Sequence, residues 1–181
     1  MPLLLFIAAC AVPEFDPFAD APACAADLGD GRIDLGTQCA DGACAGGSHA
    51  DWVAALGSDA NCKASYAGDS YRCSWENGLT GYFDDDDGDG LPDDEAEAVV
   101  VFVDLPYSGT SADGLGLGVS VECFGEALGV PDTLAMERIA GGWFVTEAHY
   151  DASHLDIEDS TSPDEIGDPD GLVDALRLSV I

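Results

Sequence analysis

Positive charge is nearly missing from this chain. Five lysines and arginines, with Lys63 the single lysine, face thirty-six acids, for a formal charge of −31. A surface of that sign repels phosphate backbones and anionic headgroups, which excludes nucleic acid as a direct ligand and rules out charge as the means of holding a lipid surface. It suits solubility, cation binding, or a high-salt setting where screening relieves self-repulsion. No C-x-x-C pair occurs, so zinc ribbons and thioredoxin-like redox sites lose their usual support. No G-x-S-x-G elbow marks a nucleophile. Paired carboxylates are everywhere in so acidic a chain, so their presence says nothing about glycosidase chemistry. Apolar residues are not in deficit. At 47% hydrophobic the composition is that of a chain with a core, not of a disordered one.

What is present is an acidic run, Phe83-Asp-Asp-Asp-Asp-Gly-Asp-Gly-Leu-Pro-Asp-Asp-Glu95. Calcium is a hard cation that takes six to eight oxygens. Alternate acids on a tightly turning backbone converge on one point, and a glycine supplies the turn. With Gly90 at that turn, Asp85, Asp87, Asp89 and Asp93 fall at loop positions 1, 3, 5 and 9, and Leu91 at position 7 offers its carbonyl. Other registers put Asp89 where the glycine must be, or Phe83 at the first ligand. The competing reading is a solvated acidic linker. The loop is EF-hand-like but departs at position 12, where Ala96 replaces the bidentate Glu and is flanked by Glu95 and Glu97. It resembles the D-x-D-x-D-G-x-x-D loops of thrombospondin type 3 repeats, a likeness that implies calcium binding and no activity. Asp168, Asp170, Gly171 and Asp174 repeat positions 3, 5, 6 and 9, but Ile166 occupies position 1, so an Asp-Gly turn is preferred there to a second calcium site.

The chain opens Met1-Pro-Leu-Leu-Leu-Phe-Ile-Ala-Ala-Cys10, too short an apolar run to span a membrane as a helix. Ile7-Ala8-Ala9-Cys10 resembles the lipobox of bacterial lipoproteins, which implies cleavage before Cys10 and lipidation of its thiol. The basic n-region is missing and the apolar stretch is short, as a start codon placed too far downstream would leave them. Ala11 to Ala23, with three prolines, reads as a semi-rigid tether. In lipoprotein sorting, Ala11 in place of Asp implies the outer membrane. If Cys10 carries lipid, the six remaining cysteines, Cys24, Cys39, Cys44, Cys62, Cys73 and Cys123, form three disulfides in one of fifteen pairings, in an oxidising compartment. Cys123 stands apart from the other five and must tie their segment to the carboxyl-terminal half of the chain, with Cys73 the expected partner. Gly29 to Gly42 is similar to one copy of the cysteine-rich repeats of bacterial surface proteins, G-D-G-x-x-D-x-G-x-x-C-x-D-G.

Ser48-x-x-Asp51 reads as a capping box opening a short helix that Gly57 closes. Little other regular structure is expected in the cysteine-rich stretch. From Glu97 the hydrophobic period becomes two. Glu97 to Leu105 reads as a central strand. Leu115, Leu117, Val119, Val121 and Cys123 read as one face of the next, with Gly114, Gly116 and Gly118 a bare face admitting a close neighbour. Thr133–Ile139 and Trp143–Tyr150 read as a hairpin, and Leu176, Leu178 and Val180 as the inward side of a last strand. The expected fold is mainly β, an antiparallel β-sandwich preceded by a disulfide-rich, largely irregular segment with one short helix. The expected organisation is a signal peptide over 1–9, a lipidated tether over 10–23, a cysteine-rich segment over 24–83, a calcium loop over 84–96 and a sandwich over 97–181.

His149, His154 and Asp156 are the best candidates for a transition-metal cluster or a hydrolase site, though residues five apart on one strand face opposite ways. Trp143, Phe144 and Tyr150 offer core packing on one face of the hairpin and a glycan- or protein-binding patch on the other. The expected function is that of a calcium-stabilised, lipid-anchored protein of the outer membrane or cell surface, structural or binding a protein or glycan, without catalysis. The alternative is a secreted or surface hydrolase on the same scaffold.

Overall fold

The computed structural model describes Cys24 and residues 31–64, 70–84, 92–139, 142–159 and 172–180. Cys10, the tether, the acids at 85–89 and Leu91, and the Asp168 and Asp170 pair lie outside the described residues.

Three short strands come first, β1 (Gly31–Asp34), β2 (Cys39–Ala40) and β3 (Ala43–Cys44), followed by helix α1 (His49–Leu56). Strands β4 (Asn61–Ala64), β5 (Ser70–Ser74), β6 (Leu79–Asp84), β7 (Val100–Val103) and β8 (Gly109–Thr110) lead to helix α2 (Val121–Leu128). Strands β9 (Thr133–Ile139), β10 (Gly142–Tyr150), β11 (Leu155–Glu158) and β12 (Ala175–Ser179) complete the fold. One antiparallel sheet runs in the order β4-β5-β6-β7-β12-β11-β10-β9, and a small sheet runs β3-β2-β1-β8 with β1 and β8 parallel.

The architecture is β-sandwich-like, and its core follows from strand alternation. Leu79, Phe83, Val101, Val103, Leu155, Ile157, Leu176 and Leu178 point from the large sheet into one buried cluster. Ile33, Ala40 and Ala43 of the small sheet, Trp52 of α1 and Phe124 of α2 close it from the other side. Trp52 is fully buried, donates from Nε1 to the Cys44 carbonyl at 2.9 Å, and meets Phe83 edge-to-face at 5.3 Å. Its helix starts and stops as its sequence dictates. The Ser48 hydroxyl accepts from the Asp51 amide at 3.2 Å, the Asp51 carboxylate accepts from the Ser48 amide at 3.3 Å, and Gly57 takes the positive φ of 92° at the end.

β7 is central, between β6 and β12, as its two-sided apolar pattern requires. The hairpin β9–β10 and the alternation of β12 also match the sequence pattern, save that Val180 follows the last residue of the strand and is 45% exposed. Three other expectations are corrected. The cysteine-rich stretch contributes β4, β5 and β6 to the main sheet, because Cys73, Leu79, Gly81 and Phe83 alternate inward despite their polar neighbours. The stretch from Leu115 to Cys123 is not a strand. Leu115, Leu117 and Val119 are buried from irregular backbone, and Cys123 sits on α2, which Ser120 caps. Of the three glycines expected to form a bare face, Gly116 alone meets a close neighbour, and it is backbone, since a Cβ there would stand 2.4 Å from the Gly109 carbonyl oxygen while one at Gly114 or Gly118 would meet nothing within 4 Å.

The six cysteines form three disulfides, Cys24–Cys123, Cys39–Cys44 and Cys62–Cys73. The expected Cys73–Cys123 link is therefore wrong in partner, since Cys73 faces Cys62 directly across the β4–β5 ladder. Cys123 does join the cysteine-rich segment to the rest, through Cys24 at a Cα separation of 5.4 Å. The start of α2 is in turn pinned to the segment before β12, by a bridge between Ser120 and Leu172 and a bond from the Val173 amide to the Val119 carbonyl at 2.9 Å.

Candidate metal centre

The acidic run leaves β6 at Asp84 and rejoins described structure after position 91. Its two ends are held together. The Asp93 amide donates to the Asp84 carbonyl at 3.2 Å, which closes the run at its base. The Asp93 carbonyl accepts from the Ala96 amide at 3.0 Å, a tight turn that carries Asp94 and Glu95 at its tip. The chain then runs beside the start of α1, where Ala50 donates to the Asp94 carbonyl at 3.0 Å and His49 to the Ala96 carbonyl at 2.9 Å. Ser48 and Glu97 form an isolated bridge. An open hollow of 850 Å³ results, lined by Asp84, Asp93, Asp94, Glu95 and Glu97.

Of the expected ligands, Asp93 lines this hollow, while Asp85, Asp87, Asp89 and Leu91 fall outside the described residues. Asp84, Asp94, Glu95 and Glu97 add carboxylates from its rim. Glu95 and Glu97 were legible as neighbours of the empty position 12. Asp84 and Asp94 were not, because loop numbering carries no information about the strand end and turn that flank it. The donor set is all oxygen, which fits a hard cation.

His49, Cys62 and Cys73 place their ligand atoms within 4.8 Å of one another, but both sulfurs are spent in one disulfide and offer no thiolate. His49 is pushed below its ordinary pKa by burial, against a smaller opposing pull from Asp94, and its Nδ1 is buried without a hydrogen-bond partner.

The large sheet's other face is open. Alternation places two neighbouring cross-strand rows there, Lys63, Arg72 and Tyr82 in one and Thr80, Phe102, Arg177, Asp156 and His149 in the next. The Arg177 guanidinium lies 5.6 Å over the Phe102 ring, which meets Tyr82 at 5.6 Å. His149 contacts Asp156 through Nδ1 and Asp151 through Nε2, the latter at 2.7 Å. Those bonds, Asp156 foremost, raise its pKa. In its protonated form this imidazole donates to carboxylates on both sides and has no lone pair for a metal or for a proton from substrate. His154 begins the return to β11 in a left-handed conformation and takes no part in that pairing. One row along, burial raises Glu158, with Glu147, Asp104 and Asp156 adding to it, and burial raises Asp104 against the opposing charge of Arg72. Tyr150 belongs to the core at 3% exposure, and the side chains of Trp143 and Phe144 lie outside the described set. Tyr82 and Phe102 form a half-buried aromatic pair on this face, which periodicity alone did not single out.

No family model and no curated protein matches the chain. A solved structure of a DUF4309 family protein (YjgB) from Bacillus subtilis is similar at 16% identity and a TM-score of 0.42, covering 78% of this chain and 84% of that one. No helix among the described residues is long and apolar enough to cross a membrane.

Proposed function

We propose that this is a calcium-stabilised, lipid-anchored cell-surface protein that binds or scaffolds a partner and has no catalytic role. The observation that carries the calcium reading is the bond between the Asp93 amide and the Asp84 carbonyl. It brings the two ends of the Asp-rich run together beside a hollow rimmed with carboxylates. Asp85, Asp87, Asp89 and Asp93 supply side-chain oxygens, Leu91 its carbonyl, and Glu95, Glu97 or Asp94 takes the part that Ala96 cannot. Without the ion these acids repel one another, and with it they fix the junction between β6 and β7. Lipidation at Cys10, export to the outer membrane and a tether over 10–23 complete the reading, supported by the lipobox-like start and by three disulfides that suit an oxidising compartment.

Titration calorimetry on the full chain tests the calcium site. A dissociation constant of about 10⁻⁴ M, the range of extracellular modules, is expected, with Mg²⁺ a poor competitor. Asp89→Ala should abolish the heat and Asp113→Ala, on a distant turn, should not. A flat calcium trace, or equal responses from the two variants, would show a solvated linker instead.

A further inference from the structure

Two hollows meet where β7 begins and β12 ends. The acid-rimmed one ends at Asp84, Val99 and Val180, and the same three residues begin a second, of 580 Å³, floored by Tyr82, Phe102 and Val100. The meeting line is apolar and open. Val99 is 65% and Val180 is 45% exposed, and the two are joined by a bond from the Val180 amide to the Val99 carbonyl at 3.3 Å. Two valines side by side, continuous with two half-buried rings, form an apolar strip wetted on both sides. Exposed strips of this kind, rimmed by polar groups, mark binding surfaces.

Chemistry limits what fits. One end of the strip is aliphatic and aromatic, with Arg177 at its edge over the Phe102 ring and facing Asp156. The other opens onto five carboxylates in a chain of charge −31. An anionic or wholly apolar occupant leaves those acids unanswered. A cationic one with an apolar end answers both. We propose that this double hollow docks a peptide segment of a partner protein that carries aliphatic side chains followed by lysine or arginine. The aliphatic part lies on Val99, Val180, Tyr82 and Phe102, and the basic part lies among Asp84, Asp94 and Glu97. Tyrosine and phenylalanine provide rigid contact area at small entropic cost, and the acids steer the encounter. Asp94 and Glu97 also stand in the proposed calcium shell, so the ion and the basic segment would compete for them, and the test therefore reads the segment without the ion.

The test is fluorescence polarisation of the full chain in EDTA. One labelled probe has a leucine–isoleucine block followed by a lysine block, and a second replaces the aliphatic block with serine. Any cation is drawn to a chain this acidic, so the informative quantity is the ratio of the two affinities. The aliphatic probe should bind about tenfold more tightly, the worth of one or two partly buried aliphatic side chains. Val99→Ser and Val180→Ser, both exposed and therefore harmless to folding, should each cut that ratio severalfold and leave the serine probe unchanged. Asp94→Asn with Glu97→Gln should weaken both probes. Equal affinity of the two probes, a ratio unaffected by Val99→Ser and Val180→Ser, or no binding of either overturns the proposal. A failed calcium titration leaves it standing, because the probes are read without the ion.

Discussion

Removing the Cys24–Cys123 bridge should cost this protein more than removing either of the others, and the reason lies in the unfolded chain. The bridge spans 99 residues in sequence, against 11 for Cys62–Cys73 and 5 for Cys39–Cys44. Cross-linking restricts the denatured ensemble by an amount that grows with the logarithm of the closed loop. That gives about 4.7 kcal/mol for the longest, about 2.8 for the middle one and about 2.2 for the shortest. The two short loops are nested inside the long one and shorten its free contour, but logarithmic scaling makes the correction only about 0.2 kcal/mol. Paired alanine substitutions isolate each bridge, and equilibrium urea unfolding without reductant reads the loss. Cys73 and Cys123 are both buried, so the packing cost of losing one sulfur is shared between the two longer-loop variants and cancels in their difference. The expected order of destabilisation is Cys24/Cys123, then Cys62/Cys73, then Cys39/Cys44, with a gap of about 2 kcal/mol between first and second. For domains whose total stability is about 5–15 kcal/mol, the first loss is large. A Cys24/Cys123 variant no less stable than the Cys39/Cys44 variant would refute the reasoning.

The two histidines on the ordered sheet and helix should act in opposite directions with pH. Burial lowers His49, so the folded state binds fewer protons than the unfolded one, and stability falls as pH drops through the unfolded value of about 6.5. His149 is raised by Asp156 and Asp151, so its contribution is fully present below about pH 6.5 and is lost as pH rises through its higher folded value. His49→Gln should flatten the acid limb of a melting-temperature profile and His149→Gln the opposite limb, and identical profiles would count against both assignments. Trp52→Ala should cost about 3–5 kcal/mol in urea unfolding, the range for a fully buried large aromatic, and a loss under about 1 kcal/mol would mean that α1 is not integral to the core. Self-repulsion among thirty-six acids should relax with salt, so the melting temperature should rise from low to molar sodium chloride, and an unchanged value would speak against it.

Local signals were legible wherever one residue type had one job. Ser48, Asp51 and Gly57 marked α1 at both ends, and the uniformly apolar Val100–Val103 marked a central strand with neighbours on both edges. The signal failed where two periods coincided. Leu115, Leu117, Val119, Val121 and Cys123 alternate as a strand would, yet Ser120 and Gly129 bracket the helix α2, and caps outweigh a period of two when the apolar positions 121 and 124 also share a helical face. It failed again in β4 to β6, where cysteine and glycine supply the inward positions that valine or leucine normally advertise. Disulfide partners were unreadable in principle, because pairing depends on strand register. Asp85 to Asp93 carried a metal pattern in their spacing, but Asp84 and Asp94 come to the hollow beside Asp93 only through a strand end and a turn.

The bridge from Cys24 to α2 also decides how the molecule carries load. Tension on the chain upstream of Cys24 passes through the sulfur pair into Cys123 and leaves the residues between them slack. That segment holds β1 to β8, the acidic loop and the first half of the large sheet, and if pulled out end to end it would release roughly 330 Å of chain. With the bridge intact none of it is in series with the pull. The strand β12 runs from the Val173 end, beside the helix that takes the force, to the Val180 end, beside the paired hollows. The bridge that would take up the proposed upstream anchor and the proposed docking surface therefore sit at opposite ends of one strand, so force reaching Cys123 enters through α2.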